Sequence, residues 1–262
     1  MAEFTPLLDS MTTDGATCSI TATEDWLQGR TCYGGLSAAL CLHSVSLQLG
    51  EMPPLRSAQF AFAGPASGAI TIRPTVLRKG KSTTFVGVEL FGEAGLATRA
   101  TVCYGAARTS AISYGSLPAP DVGDADACPS FFRPIPGLNF LQHFEGRFAG
   151  GSIPFSQAQD PSFTLWVRHR DPAQPASTTA LVALTDAPPP AALVKVKTPG
   201  PISTMTWAID MLTDKIETRD GWWLLQTRAE NIADGYSSQA TTLWNADRKP
   251  VMVCRQNVAV FA

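Results

Sequence analysis

Apolar positions along the chain fall into two textures. Residues 34–44, Gly34-Gly35-Leu36-Ser37-Ala38-Ala39-Leu40-Cys41-Leu42-His43-Ser44, are rich in Ala and Leu and open on a glycine pair, a pattern that predicts a long apolar helix. From residue 55 the texture changes. Four runs dominated by Val, Thr, Phe and Tyr follow at 56–63, 68–79, 82–92 and 96–108, separated by Gly64-Pro65, Lys79-Gly80-Lys81 and Gly92-Glu93-Ala94-Gly95. β-branched and aromatic runs punctuated by glycine turns read as strands. Residues 16–22 read as an earlier strand, ahead of a turn at Gly29.

Residues 109–137 break both patterns. Pro118, Pro120, Asp121, Asp124, Asp126, Pro129, Pro134 and Pro136 suit neither strand nor helix, so this stretch reads as a linker. Beyond it, 137–150 and 162–170 read as strands, and 178–186 as a short helix closed by Pro188-Pro189-Pro190. Four more β-prone runs occupy 201–212, 221–233, 236–246 and 250–261. Each half is thus an early strand, one helix and four strands. A shift of 155 residues carries Gly80-Lys81-Ser82-Thr83 onto Gly235-Tyr236-Ser237-Ser238, Arg73 onto Arg228 and Thr101 onto Gln256. The chain reads as two copies of one unit.

A helix apolar nearly all round needs a sheet that encloses it. The implied fold is α+β, a double hot-dog of two fused repeats, each a curved antiparallel sheet wrapped around a central helix. Residues 1–108 form the first repeat, 109–137 the linker and 138–262 the second. Pairing the repeats edge to edge also hides open strand edges.

Short motifs in this order carry a family resemblance. They are Tyr33-Gly34-Gly35, the stretch from Arg73 to Ser82, Leu181-Val182-Ala183-Leu184-Thr185-Asp186, Pro201-Ile202-Ser203-Thr204-Met205-Thr206-Trp207 and Val253-Cys254-Arg255-Gln256. Together they resemble the acyl-CoA thioesterase II family of double hot-dog enzymes. The resemblance implies a triad of Asp186 at the end of the second helix, Ser203 at the start of the next strand and Gln256 in the last strand. Thr204 and Thr206 lie close enough to supply the hydroxyl instead, and a one-residue change of register swaps the candidate, because successive strand residues face opposite ways. Departures from the family pattern are Thr185 before the acid, Met205-Thr206 where a His is common, and Arg255 and Asn257 around the Gln.

Thioester hydrolysis needs an oriented, deprotonated water and a stabilised carbonyl oxyanion. The resemblance assigns the water to Asp186, Gln256 and the hydroxyl. Gly34 and Gly35 at a helix N-terminus suit the oxyanion, since glycine admits close approach and the helix dipole favours negative charge. Arg78, Lys79 and Lys81 around a turn are candidates for the phosphates of coenzyme A, or form a solvated turn. The first repeat offers Leu42-His43-Ser44 and Thr101 at matching positions, so its site is expected to be dead. Rival readings are an acyl-CoA-binding protein without turnover and an enoyl-CoA hydratase-like enzyme, the latter lacking a His in the second repeat after its helix.

Composition narrows the rest. The 262 residues are 45% hydrophobic and 16% charged, with 20 Lys and Arg against 22 Asp and Glu, a net charge of −2. No basic excess marks a nucleic-acid partner, and no run approaches the roughly 20 apolar residues that span a bilayer. The first ten residues carry two acids and no Lys or Arg, unlike a secretory signal. Six scattered cysteines without a CxxC pair read as reduced thiols of a cytoplasmic protein, and no metal or cofactor is expected. The absence of GxSxG, GxxxxGK[ST] and GxGxxG disfavours serine-elbow and nucleotide-binding folds. His43, His143, His169 and Trp222-Trp223 read as packing residues. The expected partner is an acyl-CoA substrate, and open sheet edges favour a homo-oligomer, a dimer or higher.

Overall fold

In a computed structural model, residues 3–174 and 176–261 are described. The first repeat contains α1 (Phe4–Asp9), β1 (Thr12–Asp14), β2 (Thr17–Ala22), the small hairpin β3 (Leu27–Gln28) and β4 (Thr31–Cys32), α2 (Gly34–Leu49), β5 (Leu55–Phe62), β6 (Gly68–Lys79), β7 (Thr83–Gly92) and β8 (Gly95–Gly105). The second contains β9 (Phe144–Gly151), β10 (Ser162–His169), α3 (Thr178–Thr185), β11 (Ile202–Met211), β12 (Trp223–Ala233), β13 (Tyr236–Asn245) and β14 (Pro250–Val260). Twelve strands form one sheet in the order β1-β2-β6-β7-β8-β5-β11-β14-β13-β12-β10-β9. Read outward from the central β5–β11 pair, the two halves mirror each other, with β8 matching β14, β7 matching β13 and β6 matching β12. The halves join antiparallel, with Phe60 opposite Trp207. Hot-dog folding of two repeats is therefore as the sequence implies.

Both central helices lie inside the curve of this sheet. α2 buries ten of its residues, from Gly35 to Val45, because Ala and Leu on every side meet either the strands or α3. Gly50, at φ +79°, ends it in a conformation that only glycine adopts without strain. α3 is half as long. Ser177 caps it by accepting from the Ala180 N–H, and the proline run after Asp186 stops it.

Three features depart from the sequence reading. α1 was not foreseen. The stretch 137–150 is not one strand: residues 139–143 form a 3₁₀ turn, and β9 begins only at Phe144, so His143 lies outside the strand assigned to it. The linker is not a loose tether. It lies across the outer face of the second repeat, where Ala125 and Cys128 pack with Trp166, Trp222 and Trp244. The indole N–H groups of Trp166 and Trp244 donate to the Gly123 and Leu117 carbonyls. Among the described residues the outer face of the first repeat has no such strap, and Leu77 and Phe85 stand exposed there.

All six cysteines are free, as read from their spacing. No helix among the described residues is long and apolar enough to cross a membrane.

Candidate active site

The start of α2 meets the end of α3 beneath the central strands. Tyr33, which precedes α2 and is buried, donates its hydroxyl to the Ala183 carbonyl on α3. A Cβ on Gly35 would lie 2.6 Å from that same carbonyl oxygen, and one on Gly34 would lie 2.8 Å from Asp186 Oδ2. The glycine pair is thus required by the closeness of two helices, since any side chain there pushes them apart. Asp186, the residue that ends α3, is left with its carboxylate against the first turn of α2.

Two groups hold that carboxylate. Gln256 Nε2 on β14 donates to Asp186 Oδ1 at 2.6 Å, and the Gly35 N–H also donates to it. Gln256 is oriented in turn, since its Oε1 accepts from Gln239 Nε2 at 2.6 Å and Gln239 Oε1 accepts from the Ala191 N–H at 2.9 Å. The chain of bonds leaves Gln256 one way round, with its NH2 toward the acid. Burial pushes the Asp186 pKa up to about 7, even though the Gln256 and Gly35 donors pull it down. Burial, and then the neighbouring Asp186 charge, hold the Tyr33 hydroxyl well above its ordinary pKa, so it remains a donor.

A cavity of about 360 Å³ opens beside the carboxylate. Its walls include Gly34 and Ser37 of α2, Phe62 at the end of β5, Thr98 of β8, and Ile202, Ser203 and Thr204 at the start of β11. A bulge at Met205 decides which hydroxyl faces inward. Trp207 pairs with Gln256, whereas Thr204 pairs with Val258, so the extra residue restores Thr204 to the face shared by Gln256. Ser203 pairs with Ala259 on the other face and is exposed. Thr206 is exposed as well.

The other candidates lie elsewhere. Arg78, Lys79 and Lys81 flank the β6–β7 turn, at the opposite end of the strands from the cavity. Lys79 pairs with Thr84, eight residues before Gly92, where an added Cβ would lie 2.8 Å from the carbonyl oxygen of the wall residue Pro65. Eight strand residues span roughly 27 Å. These cations therefore do not reach the Asp186 cavity of their own chain. Arg30 is exposed and lies in sequence between the wall residues Gln28 and Thr31. Thr101 does not match Gln256 in facing: it is exposed on the outer side, while Ala100 and Val102 point inward. The ungapped shift misplaces this strand by one residue, which reverses every side chain.

No histidine lines the cavity. His143 stacks on Trp26 with ring centroids 3.7 Å apart and lies 3.2 Å from Asp25. His169 bonds the Ala180 carbonyl, and burial lowers its pKa to about 4. His43 is half-buried and bonds the backbone of Leu8. Among the described residues no three His, Cys, Asp or Glu side chains cluster as a metal site would require.

Sequence reasoning missed Gln239, Ser37 and Thr98. Gln239 had a weak signal, as it falls two residues from Ser237 and Thr241 on a strand whose facing the sequence left open.

Comparisons with known proteins agree with this architecture. Residues 22–105 match a family model described as the acyl-CoA thioesterase N-terminal domain, and residues 117–260 match one described as the acyl-CoA thioesterase C-terminal domain. Among solved structures, a conserved protein of unknown function with a hot dog fold from Alicyclobacillus acidocaldarius is 27% identical, with a TM-score of 0.89 over 97% of this chain and 98% of that one. The acyl-CoA thioesterase II TesB2 from Mycobacterium marinum is 15% identical, with a TM-score of 0.74 over 97% and 96%. The tesB protein of Mycobacterium avium subspecies paratuberculosis is 15% identical, with a TM-score of 0.77 over the whole of both chains. At 15% identity the likeness is one of fold alone. A comparison with curated proteins gave no match.

Proposed function

Since the chain belongs to the acyl-CoA thioesterase family and is a thioester hydrolase, we propose that it cleaves acyl-CoA by direct attack of water, with Asp186 as the general base. One observation carries the reading. A carboxylate with its pKa near 7 opens onto a cavity and is held by a side-chain amide whose own orientation is fixed. Such a group is about half ionised at neutral pH, and its carboxylate form is basic enough to take a proton from water.

In the proposed step Asp186 removes one proton from a water held in the cavity. The resulting hydroxide adds to the thioester carbonyl. The C–S bond then breaks, and the coenzyme A thiolate departs with the proton that Asp186 carries. Thr204, on the same face as Gln256, is the hydroxyl best directed at this water, in preference to Ser203. Because the Gly35 N–H is bound to Asp186, the oxyanion falls to the Gly34 N–H, which has no intrahelical acceptor in the first turn of α2. Arg30 takes the place of Arg78, Lys79 and Lys81 as the cation for coenzyme A phosphates. No covalent acyl-enzyme is required.

The test is release of free thiol from a series of acyl-CoAs by the wild type and by Asp186→Ala. Turnover lost with the fold retained supports the reading. Equal turnover in the two proteins, or binding without turnover in the wild type, ends it.

A further inference from the structure

Ser37 and Thr98 take no part in the steps above, although both line the cavity with Asp186. Ser37 lies three residues, about one helical turn, beyond Gly34 on α2. Thr98 pairs with Phe62 on the inner side of the sheet. They are almost closed to bulk solvent, at 4% and 2% exposure. Neither hydroxyl has a hydrogen-bond partner among the described residues.

Thr5, Thr23 and Ser237 also lack a partner among the described residues, but their oxygens are sealed off and lie outside the cavity wall, whereas several other buried hydroxyls are bonded within the protein. Ser44 donates to the Cys41 carbonyl, Thr185 to the Leu181 carbonyl and Thr241 to Thr227. Thr31, also in the cavity wall, both donates to and accepts from the backbone of Ala66. Buried hydroxyls are normally satisfied in this way. Two that are left open, one from the helix and one from the sheet, face a space meant for substrate.

The space is also short. Leu40 and Cys41 follow Ser37 along α2 and are fully buried, and Ala100 and Val102 close the inner side of β8 beyond Thr98. A volume of about 360 Å³ lies at the small end of ligand sites. A plain alkyl chain there would expel water from both hydroxyls and give nothing back. An acyl group with its own polar atom would satisfy them, and sites built this way reject the analogue that lacks the group.

We propose that the acyl groups taken by this enzyme are short and carry a hydroxyl or oxo substituent near the thioester, bound by Ser37 and Thr98. The proposal rests on the thioesterase reading above.

The experiment compares kcat/KM for butyryl-CoA, its 2-hydroxy, 3-hydroxy and 3-oxo derivatives, and dodecanoyl-CoA. At least one substituted substrate is expected to exceed butyryl-CoA by about tenfold or more. The double variant Ser37→Ala/Thr98→Val, which keeps volume nearly constant, is expected to erase that preference while butyryl-CoA turnover persists. Equal rates for butyryl-CoA and every derivative, a preference untouched by the double variant, or dodecanoyl-CoA as the best substrate overturns the proposal. Calorimetry with uncleavable thioethers, S-butyl-CoA against S-(3-hydroxybutyl)-CoA and S-(3-oxobutyl)-CoA, separates it from the parent reading. A tenfold affinity gap that the double variant abolishes upholds the polar acyl pocket even if turnover is never seen. Equal affinities refute it even in an active thioesterase.

Discussion

Helix α2 runs for 16 residues and helix α3 for 8, and this difference in length separates the two halves chemically. Along α2, at the place matching Asp186, the chain continues through Leu42, His43 and Ser44 as buried or half-buried helix. Opposite it β8 presents Ala100 and Val102, and the space is filled by apolar packing. α3 stops early at the proline run. Its end therefore lies over the inner face of β14, and that face carries polar groups, Gln256 joined to Gln239. A helix that ends inside a sheet brings a carboxylate and a free face together. A helix that runs through excludes both.

That contrast can be broken at several points. The largest effect is expected for Asp186→Ala, which should lower kcat by about 10²–10⁴-fold, the usual worth of a positioned base. Steady-state kinetics with a circular dichroism check of folding measures it. Next comes Gly35→Ala, whose added Cβ would lie 2.6 Å from the Ala183 oxygen. Forcing the helices apart should cost about 1–3 kcal/mol of stability in chemical denaturation and lower turnover with it. Gln239→Ala should cut kcat by about tenfold with KM nearly unchanged, because it frees the Gln256 amide to turn. Thr101→Ala, on the outer side of the first repeat, should leave both constants within twofold.

The pH profile sharpens the same comparison. kcat/KM should rise with pH through about 7 as Asp186 loses its proton. Gln256→Met removes a donor that holds this pKa down, so the rise should move to higher pH. Stability has the opposite sign. The folded chain keeps the Asp186 proton up to about pH 7, while the unfolded chain releases it near 4, so folding weakens as pH climbs between those values. Asp186→Asn should flatten that decline in thermal melts. The smallest effect is expected for Arg30→Ala, which should raise KM for acyl-CoA by a few-fold in low salt and less at high salt.

Much of this was legible in the residues. A helix stopped by three prolines after an acid, and a glycine pair opening an apolar helix, are local signals that survive without coordinates, though it was the family resemblance that gave Asp186 its role. Facing was harder. The bulge at Met205 and the one-residue offset between β8 and β14 both invert which side chains point inward, and neither leaves a mark in composition. Arg78, Lys79 and Lys81 failed for a related reason, since a hairpin turn in sequence does not reveal which end of the sheet it occupies. The linker was recognised by its prolines, but its carbonyls accept from Trp166 and Trp244, a role no local pattern announces.

The odd residue in β11 has a consequence for anyone who edits this chain. Upstream of Met205 the strand is read in one parity and downstream in the other. Deleting that single position would leave a regular ladder in which Thr204, Thr206 and Trp207 keep Val258, Asn257 and Gln256 as partners, so Thr204 would stay inward and Ser203 outward. Flattening the bulge with Met205 retained would instead set Met205 against Val258 and turn Thr204 out and Ser203 in, so the alcohol presented is stored in the bulge rather than in residue identity.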